Sequence, residues 1–205
     1  MSAIETVMRT SPVIPVLVID DAAHARPIAE ALVGGGLKVL EVTLRTPAAL
    51  DAIAEMKKVD GAVVGAGTVL NEEQLDRAID AGSEFIVSPG LTKKLGKAAV
   101  KRDVPFLPGV SNTADIMLGL ELGLDRFKFF PAEASGGMKT LSAFAAVFGD
   151  VRFCPTGGIT ADTAQRWLDS PAVLCVGGSW LVGKGDPDLD AIRQAAEQAA
   201  ALKAD

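Results

Sequence analysis

One lysine stands in the middle of Asp125-Arg126-Phe127-Lys128-Phe129-Phe130-Pro131, a stretch otherwise dominated by phenylalanine and closed by proline. Such a run reads as a buried strand ending in a loop. An ammonium placed there costs on the order of several kcal/mol unless it is paired or gives up its proton. A lysine that loses its proton easily is a nucleophile for carbonyl carbons, and the product is a Schiff base. Taken alone, the stretch better fits a lysine whose stem reaches solvent, or half of a structural ion pair. The rest of the chain reverses that preference.

The second group of reactive type is Glu41, in Glu41-Val42-Thr43-Leu44-Arg45-Thr46. Strand alternation puts Val39, Glu41 and Thr43 on one face and Leu40, Val42 and Leu44 on the other. If the second set packs on helices, Glu41 points inward, where a carboxylate is costly without a partner or a task. An ion pair with Arg45 or Lys128 would supply the partner and tune both of its members. Arg45 also offers a forked guanidinium suited to a substrate carboxylate.

Small-residue turns surround these groups. Gly65-Ala66-Gly67-Thr68-Val69 lets the backbone approach a ligand and offers the Thr68 hydroxyl. Ser88-Pro89-Gly90 and Gly109-Val110-Ser111 leave room above a sheet. Thr156-Gly157-Gly158 and Gly177-Gly178-Ser179 carry paired glycines. Each turn alone is an ordinary tight connection. Two Gly-Gly pairs in succession match a phosphate site in which backbone N–H groups and a helix N-terminus hold the anion. The parts combine into one chemistry. A buried lysine condenses with a ketone, a carboxylate moves protons without histidine, an arginine holds a carboxylate, and a phosphate pocket anchors the other end. The Schiff base turns the carbonyl carbon into an electron sink, so a C–C bond one carbon away can break or form. This is class I aldolase chemistry, which uses no metal and no organic cofactor.

The elements that must position these groups follow from hydrophobic patterning. Apolar runs of strand length fall at 13–19, 37–43, 62–66, 84–87, 105–107, 126–130, 151–154 and 173–176. Helix patterns fall between them, at 2–10 and then from Asp20/Asp21 to 33, 47–59, Asn71 to 81, 92–101, 112–122, 139–148, 161–168 and 189–202. Eight strands alternating with helices predict parallel strands joined by crossovers, closed into a (β/α)8 TIM barrel with a short N-terminal helix. A single domain over residues 1–205 is expected. An open doubly wound sheet fits less well, because the first βα turn lacks G-x-G-x-x-G. In such barrels reactive groups sit at the C-terminal strand ends, where the residues above fall.

Composition narrows the function classes. Hydrophobic residues make up 49% and charged residues 22% of the 205, which excludes a disordered chain. The net charge of −6 argues against nucleic-acid or anionic-membrane partners. No apolar run reaches membrane-spanning length, and the N-terminus lacks a signal-peptide pattern, so a cytoplasmic location is expected. Cys154 and Cys175 lie in apolar runs and read as small buried hydrophobes; no Cys/His spacing suggests a metal site. The lone histidine, His24, has no neighbours that recommend it as a base.

Read together, Glu41-Val-Thr-Leu-Arg45-Thr, Gly65-Ala-Gly-Thr68-Val, Ser88-Pro-Gly-Leu-Thr, Phe127-Lys128-Phe-Phe-Pro-Ala-Glu, Phe153-Cys-Pro-Thr156-Gly-Gly-Ile and Gly177-Gly-Ser179-Trp resemble the bacterial 2-keto-3-deoxy-6-phosphogluconate (KDPG) aldolases, also described as 4-hydroxy-2-oxoglutarate (KHG) aldolases. The resemblance runs from about Pro12 to Val182. It implies a homotrimeric barrel of the Entner–Doudoroff pathway that reversibly cleaves KDPG to pyruvate and glyceraldehyde 3-phosphate. It also implies cleavage of 4-hydroxy-2-oxoglutarate to pyruvate and glyoxylate. By the family's motifs Lys128 is the Schiff-base lysine and Glu41 the general acid/base. Arg45 and Thr68 hold the pyruvate carboxylate, with Pro89 lining that end. Gly157, Gly158, Gly178 and Ser179 bind phosphate, and Thr156 contacts substrate hydroxyls. Two alternatives stand beside this reading: an aldolase for the galactonate epimer, and a barrel that binds a phosphorylated ligand without turnover.

Overall fold

The structure, a computed structural model, describes residues 1–202; the last three residues of the expected 1–205 domain lie outside the described residues. Eight parallel strands form the inner ring: β1 (Val13–Leu17), β2 (Val39–Thr43), β3 (Val63–Gly67), β4 (Phe85–Ser88), β5 (Phe106–Val110), β6 (Arg126–Phe129), β7 (Arg152–Pro155) and β8 (Val176–Gly178). From β1 to β7 each pairs with the next in sequence, and β1 also pairs with β8. Bridges from Phe153 to Val173 and from Thr156 to Gly177 bring β7 against the β8 segment. Around the ring lie α2 (Ala25–Gly34), α3 (Ala49–Met56), α4 (Glu72–Asp80), α5 (Lys93–Lys101), α6 (Thr113–Glu121), α7 (Gly137–Val147), α8 (Ala161–Leu168) and α9 (Leu189–Ala200), while α1 (Ala3–Thr10) precedes the first strand. The chain is therefore a (β/α)8 barrel with a short N-terminal helix.

Local chemistry sets the element ends. Asn71, Thr92 and Asn112 each accept a hydrogen bond from the backbone N–H three residues on, and so start α4, α5 and α6. Asp21 caps as expected, but what it starts is a 3-10 turn at Ala22–His24, and α2 follows only from Ala25. α3 begins at Ala49, not at 47. The strand expected at 173–176 also shifts, to Val176–Gly178. Between the two β7–β8 bridges, two residues separate Phe153 from Thr156 and three separate Val173 from Gly177. The extra residue interrupts the ladder as a bulge does, so β7 meets this segment only at the two bridges, while Val176 already pairs with Val13 of β1.

The pleat sorts the apolar residues into two groups. Leu40, Val42, Phe127 and Phe129 belong to the large cluster between strands and helices, where Phe129 meets the Phe144 ring edge-on at 5.8 Å. Ile14, Val39, Phe85, Val87, Leu107, Cys154, Leu174 and Cys175 form a smaller cluster inside the ring. Ile4 and Met8 of α1 pack into that inner cluster, so the helix closes the end of the barrel at which the strands begin. It is fastened there by Glu5. The carboxylate accepts from Arg9 Nε at 2.8 Å and from Nη2 of Arg126, the first residue of β6, at 2.9 Å. The Arg9 and Arg126 bonds hold the Glu5 carboxyl below its ordinary range.

Candidate active site

Alternation along β2 and β6 decides where the two reactive groups meet. With Leu40 and Val42 turned to the helices, Glu41 points into the ring; with Phe127 and Phe129 turned the same way, so does Lys128. Lys128 Nζ donates to Glu41 Oε1 at 2.9 Å and to Oε2 at 3.2 Å. Both residues are buried, at 6% and 3% exposure, so water screens the pair little. The partner of Glu41 is thus Lys128 and not Arg45. Beneath the pair lies the apolar inner cluster; to one side the Phe130 ring lies with its centroid 5.6 Å from Nζ, within reach of a cation–π contact. A buried amine in contact with a carboxylate can pass it a proton and be left as a nucleophile.

Gly67 makes this pairing possible. A Cβ at that position would lie 2.1 Å from Glu41 Oε1, so any side chain would displace the carboxylate. The glycine turn suggests a backbone approached by a ligand; at Gly67 the close approach is by Glu41. The next residue, Thr68, has φ 59°. For a β-branched residue this left-handed backbone costs about 1–2 kcal/mol, a cost that recurs where function holds a chain in place. Thr68 and Pro89 sit on adjacent connections, directly after β3 and β4.

Arg45 stands exposed in the connection after β2. Its Nε donates to Thr43 Oγ1 at 3.1 Å. Across the ring, Thr156 is buried between β7 and β8. Gly157 and Gly158 follow with φ of 101° and 82°, conformations that glycine alone adopts at little cost. Gly177 and Gly178 have a packing reason that the sequence reading did not contain. A Cβ on Gly177 would lie 2.2 Å from Thr156 Oγ1, and one on Gly178 would lie 2.4 Å from the Trp180 ring. Ser179 follows at the exposed rim.

Other groups stand apart. Cys154 and Cys175 are free thiols within the inner cluster, and burial pushes the Cys175 thiol well above its ordinary value, which leaves it unreactive. His24 lines a separate cavity of about 270 Å³ beside the β8 connection, with Nε2 3.9 Å from Asp186. Among the described residues no group of three or more His, Cys, Asp or Glu could hold a metal ion. Alternation along β2 and β6 gives Thr43 and Phe130 a face but no role; their contacts depend on side-chain direction at a strand end, which periodicity does not carry.

Residues 4–195 match the model of the KDPG and KHG aldolase family. The chain is 63% identical over 203 residues, 99% of its length and 98% of the relative's, to the 2-dehydro-3-deoxy-phosphogluconate aldolase of Zymomonas mobilis. A crystal structure of the Z. mobilis enzyme with 3-phosphoglycerate superposes with a TM-score of 0.97, covering 98% of this chain and 97% of that one. A KDPG aldolase from Legionella pneumophila, with pyruvate captured as a covalent carbinolamine, is 41% identical with a TM-score of 0.93, covering 98% of this chain and 99% of that one.

Proposed function

The chain belongs to the KDPG and KHG aldolase family and is an aldolase, a carbon–carbon lyase, and from that premise we propose how its own residues carry the reaction. The substrate is KDPG, cleaved reversibly to pyruvate and glyceraldehyde 3-phosphate, with 4-hydroxy-2-oxoglutarate cleaved to pyruvate and glyoxylate by the same steps. The contact between Lys128 Nζ and Glu41 Oε1 at 2.9 Å carries the assignment. Nζ attacks the C2 carbonyl to give a carbinolamine, and Glu41 moves the proton that lets water leave. The resulting iminium draws electrons from the C3–C4 bond while Glu41 takes the proton of the C4 hydroxyl. The aldehyde departs and an enamine remains. Proton return to C3 and hydrolysis release pyruvate and restore the amine. General acid–base help of this kind is worth about 10²- to 10⁴-fold.

Arg45 and Thr68 hold the pyruvate carboxylate and Pro89 lines that end. Gly157, Gly158, Gly178 and Ser179 receive the phosphate, and Thr156 meets the substrate hydroxyls. The phosphate lies across the ring from Arg45, so the two anionic ends of the substrate span the mouth with the keto carbon over Lys128. The carbinolamine captured in the Legionella enzyme and the phosphorylated acid in the Zymomonas enzyme support a covalent pyruvate adduct and a phosphate site respectively. The working form is a single-domain protomer in a cytoplasmic homotrimer; among the described residues no helix is long and apolar enough to cross a membrane. Borohydride reduction in the presence of labelled pyruvate, followed by peptide mapping, tests the assignment. Label on Lys128 is expected; label on any other lysine overturns it.

A further inference from the structure

We propose that Thr43 is a positioning residue for Arg45, its hydroxyl aiming the guanidinium at the substrate carboxylate; the proposal rests on Arg45 holding that carboxylate. Thr43 is buried at the end of β2, at 1% exposure, on the same face as Glu41. Its hydroxyl donates to the Leu17 carbonyl at 2.7 Å. A hydroxyl has one proton, so once that proton is committed the oxygen presents only lone pairs to the outside. Arg45 Nε meets it at 3.1 Å. The relay therefore has a direction: the end of β1 orients Thr43, and Thr43 orients Arg45.

The backbone around Arg45 is bracketed in the same way. Leu44 N–H donates to the Gly67 carbonyl at 2.8 Å, Arg45 N–H donates to the Thr43 carbonyl at 2.8 Å, and the Thr46 hydroxyl donates to the Ile19 carbonyl. What remains loose is the exposed side chain, and Thr43 holds it through Nε alone. The four N–H groups on the terminal nitrogens stay uncommitted, since among the described residues no carboxylate pairs with Arg45. A carboxylate in a forked pair takes two of them. With Nε fixed, the plane of the fork is fixed before substrate arrives, which is preorganisation of the binding group.

The test uses Thr43→Val, which keeps the β-branched shape and removes the hydroxyl, with Thr43→Ala as a second deletion and Thr43→Ser as rescue. The readout is the half-saturating concentration for borohydride inactivation, measured with pyruvate and with acetone, which lacks the carboxylate. Both deletions are expected to raise the pyruvate value about tenfold, the low end for a hydrogen bond to a charged group. The acetone value and kcat on the phosphorylated keto acid should stay within about twofold, the split expected for lost uniform binding. Thr43→Ser should return most of the pyruvate affinity. Equal weakening toward pyruvate and acetone would assign Thr43 a purely structural role and overturn the proposal, as would no change with pyruvate. Arg45→Ala separates the two layers. If it weakens pyruvate and Thr43→Val does not, the relay alone fails. If it leaves pyruvate binding unchanged, the carboxylate reading of Arg45 fails and the relay fails with it.

Discussion

Strand β6 sends two cations to one face, two residues apart, and each meets a carboxylate from a distant element. Arg126 reaches Glu5 of α1 at 2.9 Å; Lys128 reaches Glu41 of β2 at 2.9 Å. Equal distances lead to different chemistry. Two guanidinium groups, from Arg9 and Arg126, bind the one Glu5 carboxylate, and neither gives up its proton. Arg126 also spends Nη1 on the carbonyls of Asp125 and Asp150. The lower pair is locked ionised and fastens the plug helix. In the upper pair one amine faces one carboxylate, and an amine, unlike a guanidinium, can hand its proton over and become a nucleophile. Lys128 is buried and Arg126 partly so; only the upper pair holds a group able to become a nucleophile.

The largest expected effect comes from making the upper pair like the lower. Lys128→Arg keeps a cation within reach of Glu41 but removes the amine, so kcat/KM should fall by roughly four orders of magnitude or more, with no borohydride-trapped pyruvate. Retained trapping would break the distinction between the pairs. Next comes Glu41→Gln, with kcat lower by roughly two to four orders of magnitude while the pyruvate adduct still forms. An unchanged kcat would move proton transfer to another group. The lower pair should respond in stability instead. Arg126→Met is expected to cost about 2 kcal/mol by denaturant unfolding with kcat unchanged; it stays below the 3–5 kcal/mol of a wholly stranded buried charge because Glu5 keeps Arg9. The smallest effect is in the acid limb. The Glu5 carboxyl titrates below its ordinary value of 4.5, so its contribution is fully present above that pH and is lost as pH falls through the lowered folded-state value. Glu5→Gln should therefore flatten the stability curve below about pH 4.5 and leave the pH–rate profile alone.

The upper pair was legible in the sequence and the lower one was not, for a physical reason. Period-two alternation turns Glu41 and Lys128 to the same interior, and a closed ring of eight strands leaves two inward charges little else to meet. Alternation gives Arg126 the same face, but its partner lies 121 positions away on a helix outside the barrel repeat. Nothing in the pattern of α1 says that it folds under the ring. Phe127 and Phe129 could be assigned to the helix side because alternation gives them the face opposite Lys128. The bulge before β8 escaped notice because residues 173–176 are uniformly apolar, and a run without alternation carries no register. The motifs suggest a ligand against the backbone at Gly67 and a phosphate-binding glycine pair at Gly177; the space where each Cβ would stand is filled from within, by Glu41 and by Thr156. A sequence shows that a glycine is there, not which neighbour leans into it.

The helix under the barrel also fixes an order of events. Ile4 and Met8 cap an interior already filled by Ile14, Val39, Phe85 and Leu107, so among the described residues the packed lower half closes off Nζ of Lys128 from that end and leaves the end where the strands finish as its approach. In the mechanism proposed for Lys128, substrate enters from that end, the aldehyde leaves by it, and the water that hydrolyses the imine comes the same way. The three travellers form a queue, and the aldehyde has to clear the threshold before water can free the pyruvate behind it.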